Sequence, residues 1–317
     1  SPQPDLILLD VMMPDLDGYE VCQQLKDSVN TKKIPVIFVT ALREYENEAK
    51  GFEVGGVDYI TKPISPPVVR ARVETHLALY DQNRVLEKKV QERTQEVLHT
   101  QDVTIYSLAV LAETRDKGTG AHIIRTQNYV KTMAEHLLST GHYRDILDTT
   151  LVNVLFKSAA LHDIGKVGIA DSILLKPDKL TNDEFEEMKR HTIYGSEAIK
   201  KSQEALGKQT STTFLTIARE IALSHHEKWD GSGYPYGLSG TDIPLSGRIM
   251  AIADVYDALI TQRVYKPAFT HDEAAAIIMG GRGDHFDPDL VDAFATIQST
   301  FMAIALQYAD EAPEGGA

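Results

Sequence analysis

His162-Asp163-Ile164-Gly165-Lys166 closes a segment, Tyr143 to Leu161, whose apolar residues recur at helical spacing. An imidazole and a carboxylate side by side at the end of an apolar helix give the point from which the rest of the chain can be read. Asn182 to Lys201 and Thr212 to His225 repeat the helical period, and no strand pattern emerges from Ser107 onward. This predicts an all-α domain in which helices bring His162, Asp163, His191, the pair His225-His226 and Asp254 toward one point. Nine of the eleven histidines follow residue 120. One histidine on an apolar helix face is most simply a core residue, but several of them with two aspartates form a donor set. Neutral imidazoles and a carboxylate able to bridge two cations are what a dinuclear hydrolytic site needs. The lone cysteine, Cys22, excludes a multi-thiolate site, so the donors are nitrogen and oxygen. Such donors favour two divalent ions of the Fe, Mn or Ni class over structural Zn.

The first 70 residues follow another pattern. Asp5 to Asp10, Val36 to Thr40 and Val57 to Thr61 are short apolar runs of the kind buried parallel strands use, with helical segments around Tyr19 to Lys26 and Glu44 to Val54 between them. The βαβαβ order implies a doubly wound parallel sheet whose strand ends present Asp10, Thr40 and Lys62 at one edge. A carboxylate nucleophile that accepts a phosphoryl group needs a hydroxyl and an ammonium beside it.

Between Arg70 and Glu113 the chain has neither proline nor glycine and is rich in Glu, Lys, Gln and Leu, which predicts a long helix. Leu79, Leu86, Val90 and Val97 fall on heptad steps, interrupted by Asn83, Arg93 and Thr100 on the same seam. Paired in parallel, this seam would make a homodimer; unpaired, it is a solvated spacer. The net charge of -14 argues against nucleic acid and anionic lipid as partners while leaving room for a small phosphorylated ligand. No apolar run of membrane-spanning length and no leader pattern stand out, so the expectation is a soluble, cytoplasmic protein without a membrane partner. The tail after Asp310 is rich in Glu and Gly and reads as frayed.

Two resemblances follow from these strings. Leu9-Asp10-Val11-Met12-Met13-Pro14-Asp15-Leu16-Asp17-Gly18, Phe38-Val39-Thr40-Ala41 and Tyr59-Ile60-Thr61-Lys62-Pro63 resemble the response-regulator receiver family. That resemblance implies Asp10 as phosphoacceptor, Thr40 and Lys62 as the switch pair, and a sensor kinase as partner. The chain opens at what corresponds to the third receiver strand, without the acidic pair that holds Mg²⁺, so efficient phosphorylation of this fragment is not expected. Glu113-Thr114-Arg115-Asp116, His122-Ile123-Ile124-Arg125, His162 to Lys166, His225 through Gly233-Tyr234-Pro235, Asp254-Val255-Tyr256-Asp257-Ala258, Arg263-Val264-Tyr265-Lys266 and His285-Phe286-Asp287-Pro288 resemble the HD-GYP subgroup of HD-domain phosphohydrolases. This implies hydrolysis of cyclic di-GMP to pGpG, with GMP as a further product. It implies His122, His162, Asp163, His191, His225, His226 and Asp254 as metal ligands, with Asp163 bridging and catalytic. Lys166, Arg263 and Lys266 match phosphate contacts, Lys166 also neutralising charge or assisting the leaving group, and Tyr234 rims the pocket.

The expected organisation is a partial receiver over 1–70, a signalling helix over 71–106, an HD-type helical domain over 107–303 and a tail over 304–317. Some members place a glutamate four residues before the first ligand histidine; here that position is Gly118, which predicts two metals rather than three, with His122 or His226 loosely held or outside the first shell. The alternatives are an HD hydrolase of another nucleotide and a catalytically weak module that binds a cyclic dinucleotide.

Overall fold

The computed structural model describes residues 3–41, 45–115, 120–205, 213–262 and 268–309. The chain divides into two compact units, Ser1–Leu98 and His99–Ala317.

In the first unit, β1 (Ile7–Asp10), β2 (Val36–Thr40) and β3 (Asp58–Thr61) form a parallel sheet in the order β1-β2-β3. The connections run through α1 (Gly18–Asp27) and α2 (Tyr45–Glu53). Asp17 and Glu20 cap the start of α1 reciprocally, satisfying two amides that the helix leaves open. Leu9, Val11, Tyr19, Cys22, Val36 and Phe38 fill the core, with the Tyr19 and Phe38 rings 5.1 Å apart. Asp10 pairs opposite Val39 and Thr40 opposite Thr61, so the parallel register brings Asp10, Thr40 and Lys62 to the same sheet edge.

The long helix is α3 (Pro66–Thr114), 49 residues. It begins at a Pro-Pro pair, where a missing amide costs nothing and the fixed φ suits the first turn. Its buried residues are Ile105, Ala109, Ala112 and Glu113, all near its C-terminal end.

The second unit is helical. It comprises α4 (Gly120–Thr140), α5 (Thr149–Ala159), a 3-10 turn (Ile164–Gly168), α6 (Asp171–Leu174), α7 (Asn182–Lys189), α8 (His191–Ala205), α9 (Thr213–Ser224), α10 (Leu245–Ile260), α11 (His271–Gly280) and α12 (Pro288–Gln307). Two segments expected as single helices differ. The first begins only at Thr149, because Asp148 caps it through the amide of Leu151 and Tyr143 adopts a positive φ of 58°. The segment from Asn182 to Lys201 breaks at Arg190, whose amide turns back to Glu187 and Met188, so that His191 starts a new helix.

The expectation that no apolar run reaches membrane-spanning length also needs correction: α12 is long and apolar enough by length and composition to cross a membrane. Here one face of it packs into the core of the helical unit. Leu290, Phe294 and Phe301 are fully buried, and the Phe301 ring stacks on Tyr129 of α4 at 4.6 Å. Tyr256 of α10 meets Tyr129 edge-on, and this aromatic cluster anchors the helices that carry His122 and Asp254.

Candidate metal centre

Three histidines reach the centre by the same local device. His162 Nδ1 lies 2.9 Å from the carbonyl oxygen of Ala159, His191 Nδ1 2.7 Å from that of Met188 and His225 Nδ1 2.9 Å from that of Ile221. Each carbonyl belongs to a last helical turn, and each also accepts a backbone amide: Ala159 from His162, Met188 from Arg190 and Ile221 from His225. It accepts the Nδ1–H, so that in the neutral ring the lone pair lies on Nε2. His122 achieves the same with a side chain, its Nδ1 lying 2.8 Å from Asp257 Oδ2.

The Nε2 atoms of His162, His191 and His225 converge on Asp163. One carboxylate oxygen, Oδ1, is 3.2 Å from His191 Nε2 and 3.7 Å from His225 Nε2, while Oδ2 is 3.3 Å from His162 Nε2. Asp163, His191, His225 and His226 form one group whose ligand atoms lie within 4.8 Å of one another, and His122, His162 and Asp254 form a second. His122 and His162 bring their Nε2 atoms to 3.4 Å, with Asp254 Oδ1 3.9 Å from each. Asp163 Oδ1, His191 Nε2 and His225 Nε2 are buried and make no hydrogen bond. Buried acceptors without donors are costly unless something else satisfies them. Three lone pairs aimed at one point, in a nitrogen and carboxylate donor set, fit a divalent cation.

The charge balance agrees. Burial opposes ionisation of Asp163, but Lys166 and His162 hold its carboxyl well below the usual range. Burial likewise opposes a charged His162, yet Asp163, Asp254 and Glu113 raise it to about 9. That is the mark of a pocket whose field favours a cation. Burial pushes His225 down, and burial with the neighbouring imidazoles pushes His226 well down, keeping both as neutral donors.

Lys166, in the 3-10 turn, places Nζ 2.7 Å from Asp163 Oδ2. Behind it Arg115, just past the end of α3, donates to the carbonyls of Lys166, Val167 and Ile169 and to the carboxylate of Asp171. On the other side, Gly165 packs against α8 so closely that a Cβ there would lie 1.8 Å from the carbonyl oxygen of His191.

Tyr234 stacks on His226 with centroids 4.7 Å apart, and its amide donates to the carbonyl of His226. The loop that carries it is held by Glu227, 2% exposed, which accepts from the amides of Tyr236 and Leu238. Arg263 and Lys266 lie outside the described residues, as does Gly118.

Four residues of the quoted strings carry roles that sequence reasoning did not assign: Arg115, Arg125, Glu227 and Asp257. Arg125 forks onto Asp257, which orients His122. Asp257 follows Asp254 by three residues on α10, so helical spacing alone puts both on one face. In the first unit, Lys62 Nζ lies 2.5 Å from Asp10 Oδ2; this bond and the amide of Met12 lower the Asp10 carboxyl. Thr40 is buried at the same edge.

Comparison with known proteins places the chain in a family. The HD domain family model matches residues 107–290 and the response regulator receiver domain model residues 1–74. A probable cyclic di-GMP phosphodiesterase of Vibrio cholerae is 52% identical over 314 residues, covering 97% of this chain and 71% of the relative. A cyclic di-GMP phosphodiesterase of the same organism is 57% identical over 222 residues, covering 70% of this chain and 44% of that protein. The cyclic di-GMP phosphodiesterase response regulator RpfG of Xanthomonas campestris is 38% identical over 319 residues, covering 98% and 80%. The chain belongs to the HD domain family, with a response-regulator receiver segment and a long helix ahead of the HD domain.

Proposed function

We propose that the chain hydrolyses cyclic di-GMP to pGpG, and on to GMP, at a dinuclear centre formed by His122, His162, Asp163, His191, His225, His226 and Asp254. The observation that carries this reading is the placement of the two oxygens of Asp163 toward two separate histidine groups. The names of the relatives supply the substrate. Bound divalent ions would supply an activated water and neutralise phosphate charge. The chain's own groups do the rest. The histidines present lone pairs fixed by carbonyl and Asp257 acceptors, and Lys166 offers an ammonium to a non-bridging phosphate oxygen or to the leaving 3′ oxygen. Tyr234 limits access on the His226 side. Arg263 and Lys266 are further phosphate contacts in this reading.

Regulation enters through the receiver segment, with Asp10 as phosphoacceptor in a chain bearing the full receiver, a sensor kinase as donor, and Thr40 and Lys62 as the switch pair. Leu79, Leu86, Val90 and Val97 are each at least half exposed on α3, as a parallel homodimer seam in a cytoplasmic protein would require. Loading with Fe, Mn or Ni under reducing conditions, with metal counting and product analysis, tests the proposal. Two metals per chain and release of pGpG are expected. Three fully occupied metals would refute the dinuclear count. A loaded protein that binds cyclic di-GMP without turnover would instead be a binding module.

A further inference from the structure

The helix α7 is polar, none of its residues is buried, and yet it exposes a phenylalanine: Phe185 has 46% of its surface open. Single exposed aromatics are ordinary on protein surfaces. This one is distinguished by its neighbours. Its ring lies 6.4 Å from that of Tyr234, edge to face, and Tyr234 is itself stacked on His226 of the metal centre. One turn further along α7, Lys189 places Nζ 5.0 Å from the Phe185 centroid and 5.7 Å from that of Tyr234. Its ammonium pairs with Glu186 at 2.6 Å, which uses one of three donors. Two residues after Lys189, His191 opens α8 and reaches the centre. An open aromatic surface and a cation thus lie beside the ring of Tyr234, which separates Phe185 from His226.

We propose that Phe185 and Lys189 form a guanine-binding shelf at the edge of the metal centre, Phe185 stacking on the base and Lys189 donating to its O6 and N7. The inference rests on the proposed activity for its substrate and extends it to base recognition, which the metal ligands cannot supply. Every base has a π-face, so Phe185 contributes affinity without discrimination. Lys189 supplies the discrimination. Guanine offers two acceptors, O6 and N7, where adenine offers N7 beside an amino donor that an ammonium repels.

The test uses the full chain, with metal content measured for every variant. Phe185→Ala should raise KM for cyclic di-GMP and weaken calorimetric binding of GMP by roughly tenfold, with kcat and metal content at wild-type levels. Phe185→Trp should restore both, whereas Phe185→Leu, which keeps apolar bulk without a π-face, should not. Lys189→Ala should bring GMP affinity down to that of AMP and narrow the preference for cyclic di-GMP over the mixed guanine-adenine dinucleotide. Equal GMP binding by wild type and Phe185→Ala, or an unchanged guanine preference in Lys189→Ala, overturns the shelf. A wild-type protein that fails to hydrolyse cyclic di-GMP would remove the proposed activity, and the GMP and AMP titrations would still decide this inference.

Discussion

Arg125 and Asp257 form a bidentate pair inside the helical unit, Nε to Oδ1 at 2.6 Å and Nη2 to Oδ2 at 2.9 Å. Both side chains are almost wholly buried, and Asp257 also accepts from His122. Such a carboxylate fixes ring orientation and tautomer, and loss of this kind of support typically lowers metal affinity about 10- to 100-fold. Asp257→Asn should therefore weaken loading of the His122, His162 and Asp254 group by that amount in a metal titration. Arg125→Ala leaves the carboxylate buried without its cation and should destabilise the unit by about 3 to 5 kcal/mol, read by denaturant unfolding.

The same pair sets an acid limit. Burial raises the Asp257 carboxyl, but hydrogen bonds from Arg125 and His122 outweigh it and leave it below its usual range. A carboxyl depressed in the folded state contributes its full stability above the unfolded value, about 3.9, and loses it as pH falls through the lower folded value. Unfolding free energy measured from pH 6 downward should thus decline below about pH 4, and more shallowly in Asp257→Asn.

Asp163→Ala should abolish loading of the His191, His225 and His226 group and weaken the second group, because each oxygen of that carboxylate faces one of them. Elemental analysis and turnover should fall together. Full metal content with a wild-type rate would disprove the bridging role.

Arg115 holds the turn that carries Lys166 by its carbonyls, from a position just beyond α3. In Arg115→Ala those carbonyls turn to water and the Lys166 ammonium loses its fixed place. A displacement of about 1 Å at a reacting group can cost on the order of a hundredfold. We expect kcat to drop by tenfold or more, faster amide exchange over 164–169, and little loss of metal. Arg115→Lys should recover only part of the rate, since one ammonium cannot span the carbonyls that a planar fork reaches.

Much of this architecture was legible in the chain. The strands ending in Asp10 and Thr40 and before Lys62 were readable as short apolar runs bounded by polar residues, although only β2 is buried along its whole length and Leu8 of β1 is exposed. The long helix was readable from the absence of breakers, although it starts earlier, at Pro66. The break at Arg190 was not, since no Gly or Pro marks it and the apolar period continues across it. At the break the Arg190 amide turns back to Glu187 and Met188, and the His191 ring takes the Met188 carbonyl. The histidines and aspartates that the structure brings together were visible as types and spacing, whereas the contacts of Arg115, Arg125 and Asp257 were not, because a charged residue inside a helical pattern looks the same whether it faces water or a buried partner.

The contact of Gly165 with α8 has one more consequence. With a hydrogen in place of a side chain, the interval between the turn bearing Asp163 and the helix bearing His191 is the thickness of bare main chain. That interval cannot shrink, and the smallest step by which it could grow is a methyl group. The spacing between Asp163 and His191 is therefore set by contact of main chain with main chain rather than by adjustable side chains. Any side chain at position 165 would have to push α8 away from the turn, and His191 with it.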